Sequence, residues 1–260
     1  MLGAIVGDVI GSVYEGDNVK TPDFEPLFHP EAVPTDDTVL TCAVAEWILR
    51  GADDDLAIRL THWFHLFPIA GFGGTFIRWA GSSSLSPYNS WGNGSAMRAS
   101  PVGWAYDSMD DVLRHARRSA EVTHDHPEGI KGAETTAAAV FLARTGTRKP
   151  EIRAFLEERF GYDLGRSLAD IRPAYRFDVS CQGSVPEAII AFLESSGFED
   201  AVRKAVSLGG DSDTIACIAG GIAHAAYGVP AAVRAEAEGR LAPEMRAILS
   251  EFLVRFPAAG

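Results

Sequence analysis

The chain has 260 residues, of which 47% are hydrophobic and 22% are charged, and this balance excludes a wholly disordered protein. Its formal net charge of −12 argues against a general nucleic-acid binder, which needs positive charge to bind phosphates. The negative charge favours divalent cations or basic groups as partners. The 26 glycines exceed the average frequency without following a collagen period, so the sequence predicts places where the backbone needs them locally.

The N-terminal segment is apolar but does not resemble a signal peptide. It lacks a basic region, and Asp8 interrupts its apolar run. The longest apolar stretch, residues 214–227, is shorter than the about 20 residues that cross a bilayer. The cysteines Cys42, Cys181 and Cys217 form no CxxC pair, which argues against disulfides and thiolate zinc sites. We therefore expect a cytoplasmic protein with no membrane partner.

The first predicted helix carries a stripe of small residues. Gly3, Gly7 and Gly11 recur at every fourth position, which indicates close approach of its backbone to another helix, although packing alone explains the stripe too. Asp8 and Glu15 lie seven residues apart on the same predicted helix, so we expect both to face one polar site.

The remaining elements are predicted to be helical as well. No segment alternates apolar and polar residues in the manner of a strand, so the sequence predicts an all-α protein with room for one stray hairpin. No linker or repeat divides the chain, so we expect a single domain over residues 1–260. Helices are predicted over residues 39–49, 53–66, 110–121, 132–144, 186–194, 199–207, 213–227 and 243–256.

Two acidic clusters stand before the two most apolar helices, TDDT at residues 35–38 and DSDT at residues 211–214. Asp and Thr are good N-caps, but capping uses only one carboxylate per helix. Four carboxylates at buried helix ends repel one another unless a hard cation such as Mg²⁺, Mn²⁺ or Ca²⁺ binds them. Each cluster alone is typical of a capped helix with one solvated acid, whereas the pair predicts a binuclear metal site.

Two glycine-rich segments are candidate binding loops. In SWGNGSAMR, residues 90–98, the Gly-Asn-Gly run can expose successive N–H groups to an anion, and Trp91 can stack on a base or ring. GFGG at residues 71–74 could do similar work. Neither is followed by GK[ST] or preceded by a predicted strand, so neither is a Walker A or Rossmann loop. An ordinary tight turn stays the alternative for both.

His124 and His126 form an HxH pair, but a zinc site needs further ligands. A surface or helix-capping role is more typical of such a pair, and a hydrogen bond from His124 to a substrate stays open. The sequence contains no GxSxG elbow and no recognisable cysteine-nucleophile motif, so nucleophilic Ser or Cys catalysis has no support.

Six blocks follow one another along the chain: GAIVGDVIGSVYEG, TDDT, SWGNGSAMRASPVGW, THDHPEGIKGAE, GSVPEAI and SLGGDSDTIACIAGGIAHAAYG. In this order they resemble the ADP-ribosylglycohydrolase family. The resemblance runs from Leu2 to about Tyr227, and it implies an all-α, orthogonal multi-helix domain with a binuclear Mg²⁺ or Mn²⁺ centre.

The resemblance also implies roles for individual residues. Glu15 occupies the place of a family glutamate used in catalysis or gating, and Asp36 or Asp37 could instead orient the attacking water. Gly73 and Gly74 correspond more loosely to a second substrate loop. The implied metal ligands are Thr35, Asp36, Asp37, Asp211, Asp213 and Thr214, and the implied substrate contacts are Ser90, Trp91, Gly92, Asn93, Gly94, Ser95 and His124. Some members have tyrosine where this chain has Trp91, which leaves specificity for the group attached to ADP-ribose open.

The implied reaction is metal-dependent hydrolysis at C1 of the distal ribose of an ADP-ribosylated protein or small molecule, with release of ADP-ribose. Nucleic acid would be a partner only as an ADP-ribosylated substrate. Two alternatives use the same residues: a metal-dependent phosphohydrolase acting on a nucleotide diphosphate, and a non-catalytic ADP-ribose-binding member of the fold. The sequence leaves the acceptor open among arginine, serine, nucleic acid and O-acetyl-ADP-ribose.

Overall fold

The computed structural model describes residues 1–52 and 55–257, and within them the chain forms α-helices and no β-strand, which confirms the all-α prediction. The described residues contain one isolated antiparallel bridge, between Gly92 and Ser180, and no hairpin. No helix in these residues has both the length and the apolar character needed to cross a membrane. The helices are α1 (Leu2–Gly11), α2 (Asp36–Leu49), α3 (Leu56–Leu66), α4 (Gly74–Ala80), α5 (Gly94–Met97), α6 (Ser100–Ala105), α7 (Met109–Glu121), α8 (Pro127–Arg144), α9 (Lys149–Phe160), α10 (Leu168–Ile171), α11 (Cys181–Leu193), α12 (Phe198–Val206), α13 (Ser212–Tyr227), α14 (Ala231–Arg240) and α15 (Pro243–Arg255).

Helices α1 and α13 pack backbone against backbone at the centre of the fold. A Cβ atom on Gly7 would lie 2.0 Å from the carbonyl oxygen of Ala216, and one on Gly3 would lie 2.2 Å from that of Gly220. Gly11 is equally constrained by the start of α13. Only glycine tolerates such contacts, so the predicted close approach is confirmed. It also brings the residues of α1 beside the N-terminus of α13.

One core of buried apolar residues extends from α1 to α15. Trp47, Phe192 and Phe252 are among the largest fully buried side chains in the described residues. α13 is buried from Ser212 to His224, as its apolar sequence predicted. All three cysteines are free and buried, which confirms that they form no disulfide.

Several helix boundaries differ from the sequence prediction. α1 ends at Gly11, so Glu15 lies in the turn after it, not on the helix. α11 begins at Cys181 and contains Pro186, because Ser180 caps it and accepts a hydrogen bond from the N–H of Gly183 at 3.0 Å. α3 begins at Leu56, and the predicted start at residues 53 and 54 lies outside the described residues.

Six helices were absent from the prediction. α4, α5, α6 and α10 have four to seven residues, too few to show a helical period. α9 buries only Ile152 and Leu156, and α14 buries only Val233 and Ala237. A stripe of two apolar residues is too narrow to stand out in the sequence.

Candidate active site

A cavity of about 350 Å³ brings the two acidic clusters and the glycine-rich segments together. Its walls come from the turn after α1, the N-termini of α2, α4, α5 and α13, and the segment before α11. All sequence-predicted site residues except Trp91 and Ser95 line it: Glu15, Thr35, Asp36, Asp37, Gly73, Gly74, Ser90, Gly92, Asn93, Gly94, His124, Asp211, Asp213 and Thr214.

Trp91 and Ser95 are placed differently. Ser95 is fully buried, and its hydroxyl donates to the carbonyl of Gly129 at 2.7 Å, so it joins α5 to α8. Trp91 is 47% exposed and does not line the cavity, while its carbonyl accepts from the N–H of Cys181 at 3.0 Å. The expected stacking of Trp91 on a ligand stays a prediction.

The first acidic cluster forms the N-terminus of α2. Thr35 is the N-cap, and its hydroxyl oxygen accepts from the N–H of Asp37 at 3.3 Å. Asp36 and Asp37 stand in the first turn, where the helix dipole favours negative charge. The buried Asp37 accepts from the hydroxyl of Thr214 at 3.1 Å through Oδ2, and its buried Oδ1 has no partner.

The second acidic cluster forms the N-terminus of α13. Asp211 is the N-cap residue, and its Oδ2 accepts from the side-chain amide of Asn93 at 2.6 Å. Asp213 follows in the first turn, and its Oδ1 accepts from the N–H of Thr214 at 2.9 Å. Asn93 thereby ties the glycine-rich segment to this cluster.

Asp8 joins the acidic clusters from α1 through hydrogen bonds that the sequence analysis did not predict. The side chain is fully buried and accepts from Thr35 N–H at 3.0 Å and from the Thr35 hydroxyl at 2.6 Å. It also accepts from the N–H of Thr38 at 3.1 Å and from the Thr38 hydroxyl. The seven-residue spacing from Glu15 pointed to the shared polar site correctly, although Glu15 is not on the helix.

Two groups of carboxylates are arranged to hold cations. Asp8, Asp37 and Asp213 form one group and Glu15, Asp211 and Asp213 the other, with oxygens in each group within 4.8 Å of one another. Four hydrogen-bond donors already occupy the carboxylate of Asp8, which therefore orients Thr35 and Thr38. The unpartnered, buried Oδ1 of Asp37 and the all-oxygen donor set fit a hard divalent cation.

The electrostatics of the acidic clusters favour a bound positive charge. Burial, and then the charges of neighbouring carboxylates, raise the pKa of Asp37 and of Asp213 well above the usual range. The pKa of Asp36 is raised to about 8, first by desolvation and then by the charge of Asp8, although Asp36 keeps some contact with solvent. When all of these carboxylates are ionised they repel one another, and a bound cation relieves that repulsion.

The glycine-rich segment forms another wall, where two of the N–H groups expected to form an anion nest are used within the protein. The N–H of Gly92 donates to the hydroxyl of Ser90 at 3.1 Å, and the N–H of Asn93 donates to the carbonyl of Val179 at 2.7 Å. A Cβ on Gly94 would lie 3.1 Å from Nε2 of His124. These glycines therefore leave room beside the histidine ring.

His124 and His126 have separate roles, which argues against the zinc alternative. His124 is buried and lines the cavity. His126 is the N-cap of α8, and its Nδ1 accepts from the N–H of Glu128 at 3.1 Å. Among the described residues, the carboxylate groups that could hold a metal include neither histidine. The helix-capping interpretation is confirmed for His126.

Several cavity residues escaped the sequence analysis. Arg98 and Tyr88 lie in or next to the SWGNGSAMR segment, so their proximity to that motif was an available signal. Phe177 and Val179 carried no signal, because they reach the cavity through the bridge between Gly92 and Ser180.

Comparison with known proteins gives a consistent result. A family model described as ADP-ribosylglycohydrolase matches residues 1–256. ADP-ribosylhydrolase ARH3 from Mus musculus is 31% identical, over 88% of this chain and 83% of that protein. ADP-ribosylarginine hydrolase Tri1 from Pseudomonas putida (strain GB-1) is 25% identical, over 88% of this chain and 70% of that protein. A solved structure titled "ADP-ribosylglycohydrolase-related protein complex" superposes with a TM-score of 0.73 at 27% identity, covering 98% of this chain and 96% of that one.

Proposed function

Because the chain belongs to the ADP-ribosylglycohydrolase family and is a hydrolase of that class, we propose that it releases ADP-ribose from an ADP-ribosylated protein or small molecule. The bond cleaved would join C1 of the distal ribose to the acceptor. The observation that carries the proposal is one cavity lined both by the two acidic clusters and by the glycine-rich segment beside His124. The three free, buried cysteines support a reducing compartment such as the cytoplasm.

We propose that two divalent cations, Mg²⁺ or Mn²⁺, bind at the acidic end. When bound, such ions stabilise negative charge and lower the pKa of water. The buried, mutually repelling carboxylates and the partnerless Oδ1 of Asp37 support this assignment. The residues that would hold the ions are Thr35, Asp36, Asp37, Asp211, Asp213 and Thr214.

Glu15 is our candidate for the general base. It lies at the exposed edge of the acidic end, where partial desolvation and then the charges of Asp211 and Asp8 raise its pKa. A raised pKa improves a carboxylate as a base near neutral pH. In the proposed step, water attacks C1, and the bond from C1 to the acceptor breaks with its electron pair leaving on the acceptor. Glu15 accepts the proton of the water and returns it to the departing acceptor. The oxocarbenium character of the transition state would be stabilised by the nearby carboxylates.

The substrate would extend from the acidic end toward the glycine-rich segment. Gly92 and Gly94 leave space beside His124, and Ser90 and Asn93 offer polar groups at the same wall. Gly73 and Gly74 at the start of α4 line the cavity beside the acidic end. We propose that these walls hold the diphosphate and the distal ribose.

The decisive experiment measures ADP-ribose release from arginine-linked, serine-linked, DNA-linked and O-acetyl-ADP-ribose substrates with Mg²⁺ or Mn²⁺. Asp213→Asn should lower the rate at least about a hundredfold, because a ligand matters at least as much as the partners that orient it. Glu15→Gln should lower kcat about 10²- to 10⁴-fold. Asp110→Asn, at an exposed position on α7, is the matched control.

Three results would contradict the proposal. Full activity in EDTA would exclude the metal assignment. AMP and ribose phosphate as products would identify a phosphohydrolase. ADP-ribose binding without turnover of any of the four substrates would identify a non-catalytic member of the fold.

A further inference from the structure

A buried hydrogen-bonded row leads from Arg98 through Thr123 to His124. Arg98 is fully buried, and its Nη2 donates to the Thr123 hydroxyl oxygen at 2.8 Å and to the carbonyl of Ser119 at 2.9 Å. The same Thr123 oxygen lies 2.6 Å from Nδ1 of His124. Both Thr123 and His124 are buried, so water does not compete for these bonds.

The hydrogen-bond partners of the Thr123 hydroxyl determine which way the hydroxyl proton points. A threonine hydroxyl has one proton and can accept two hydrogen bonds. A guanidinium contains donors and no acceptor atom, so Arg98 must be the donor in its hydrogen bond to Thr123 Oγ1. The buried Thr123 proton also needs an acceptor, because an unpaired buried polar group is costly. Nδ1 of His124, at 2.6 Å, is the acceptor that the structure places beside it, so the proton is directed to Nδ1, which then carries no proton of its own.

We propose that Arg98 and Thr123 are positioning residues that hold His124 as the Nε2–H tautomer, so that the ring presents a hydrogen-bond donor to the cavity. Nε2 faces the glycine-rich wall, since Cβ atoms on Gly94 and Gly92 would lie 3.1 and 3.6 Å from it. Burial, and then the charge of Arg98, lower the pKa of His124 well below its usual range, so the ring stays neutral near pH 7.

The Nε2–H group of His124 can donate a hydrogen bond to an oxygen of a phosphate or of a ribose hydroxyl. The acidic clusters that line the same cavity supply carboxylates, which only accept hydrogen bonds when ionised. A neutral N–H donor held in place can bind such a ligand oxygen without adding a positive charge. The identity of the ligand rests on the proposed function, whereas the tautomer does not.

The test is the tautomer itself in the wild-type protein without ligand. Long-range ¹H–¹⁵N correlation spectra of ¹⁵N-histidine-labelled protein near pH 7 should show His124 with protonated Nε2 and bare Nδ1; His124→Gln identifies its signals. A protonated Nδ1, or a ring protonated on both nitrogens, would overturn the proposal. This measurement reports on the wild-type protein and does not depend on enzymatic activity.

A matched pair of variants tests the positioning role. Thr123→Val removes the hydroxyl at equal volume and should release the Nδ1–H tautomer, whereas Thr123→Ser keeps the hydroxyl and should keep Nε2–H. Thr123→Val should bind ADP-ribose about ten- to hundredfold more weakly, because that is the size of the loss of one hydrogen bond to a charged ligand. Thr123→Ser should retain most of the wild-type affinity. In turnover, KM should rise more than kcat falls.

The two variants behaving alike in the spectra would overturn the positioning role. A wild-type protein with the Nε2–H tautomer but no affinity for ADP-ribose would instead overturn the proposed function and leave the tautomer assignment standing.

Discussion

Asp8 binds Thr35 twice, through the backbone N–H at 3.0 Å and the hydroxyl at 2.6 Å, and the two residues are 27 positions apart in the chain. Because the Thr35 proton points to Asp8, a lone pair of the Thr35 oxygen stays free to bind a cation. The same carboxylate fixes Thr38, one turn into α2. Asp8 thus fixes the orientation of Thr35 and Thr38 at the N-terminus of α2.

We predict that Asp8→Asn weakens Mn²⁺ binding about ten- to hundredfold while the fold is retained, since partners that orient ligands have effects of that size. The amide has one acceptor oxygen where Asp8 serves four donors, so Thr35 loses its fixed orientation. Calorimetric titration with Mn²⁺ measures the affinity, and circular dichroism checks the fold. Asp110→Asn is the control, and an unchanged dissociation constant for Asp8→Asn would contradict the role.

We predict that Asp37→Asn raises Tm in EDTA by about 2–4 °C, the shift expected for 1 kcal/mol in a chain of this size. The substitution removes one of several buried carboxylates that repel one another. Mn²⁺ should raise the Tm of the wild type and have little effect on the variant. Thermal unfolding with and without Mn²⁺ measures both, and a variant that Mn²⁺ stabilises as strongly as the wild type would exclude Asp37 as a ligand.

We predict that Gly7→Ala destabilises the protein by about 3 kcal/mol or more, at the upper end of overpacking effects. The new Cβ would lie 2.0 Å from the backbone oxygen of Ala216, which has no freedom to move aside. Gly239→Ala is the matched control, because nothing lies within 4 Å of its Cβ on α14, and it should stabilise by about 0.5–1 kcal/mol. Urea unfolding measures both changes. Equal effects of the two substitutions would contradict the packing of α1 on α13.

We predict that His224 makes stability fall as the pH drops below about 6.5. Burial lowers its pKa to about 3, so between these values the unfolded chain binds a proton that the folded chain does not. The free energy of unfolding therefore decreases by about 1.4 kcal/mol per pH unit from this residue, and the contribution is fully present only above the unfolded pKa.

His224→Gln removes that contribution, so its stability should depend less steeply on pH between 6 and 4 than that of the wild type. Urea unfolding at several pH values gives the two slopes. His62→Gln, at an exposed position of α3, provides the control. Parallel slopes for wild type and His224→Gln would show that His224 is protonated in the folded protein.

Local chemistry in the sequence was enough to identify much of the candidate site. Helix caps, apolar periodicity and glycine spacing act over a few residues, so they marked the acidic clusters before α2 and α13 and the glycine stripe on α1. Those clusters meet in the structure, where the hydroxyl of Thr214 donates to Asp37 from 177 positions away.

Tertiary structure alone decided which groups in those segments are free to act. Asp8 is withdrawn into hydrogen bonds with Thr35 and Thr38, and the N–H groups of Gly92 and Asn93 are used within the protein. Hydrogen-bond partners and burial depend on residues distant in the chain, and no local pattern encodes them. Composition and spacing therefore determined which chemistry the chain contains, while packing of α1 against α13 determined where the carboxylates stand and which of their oxygens are left without a partner.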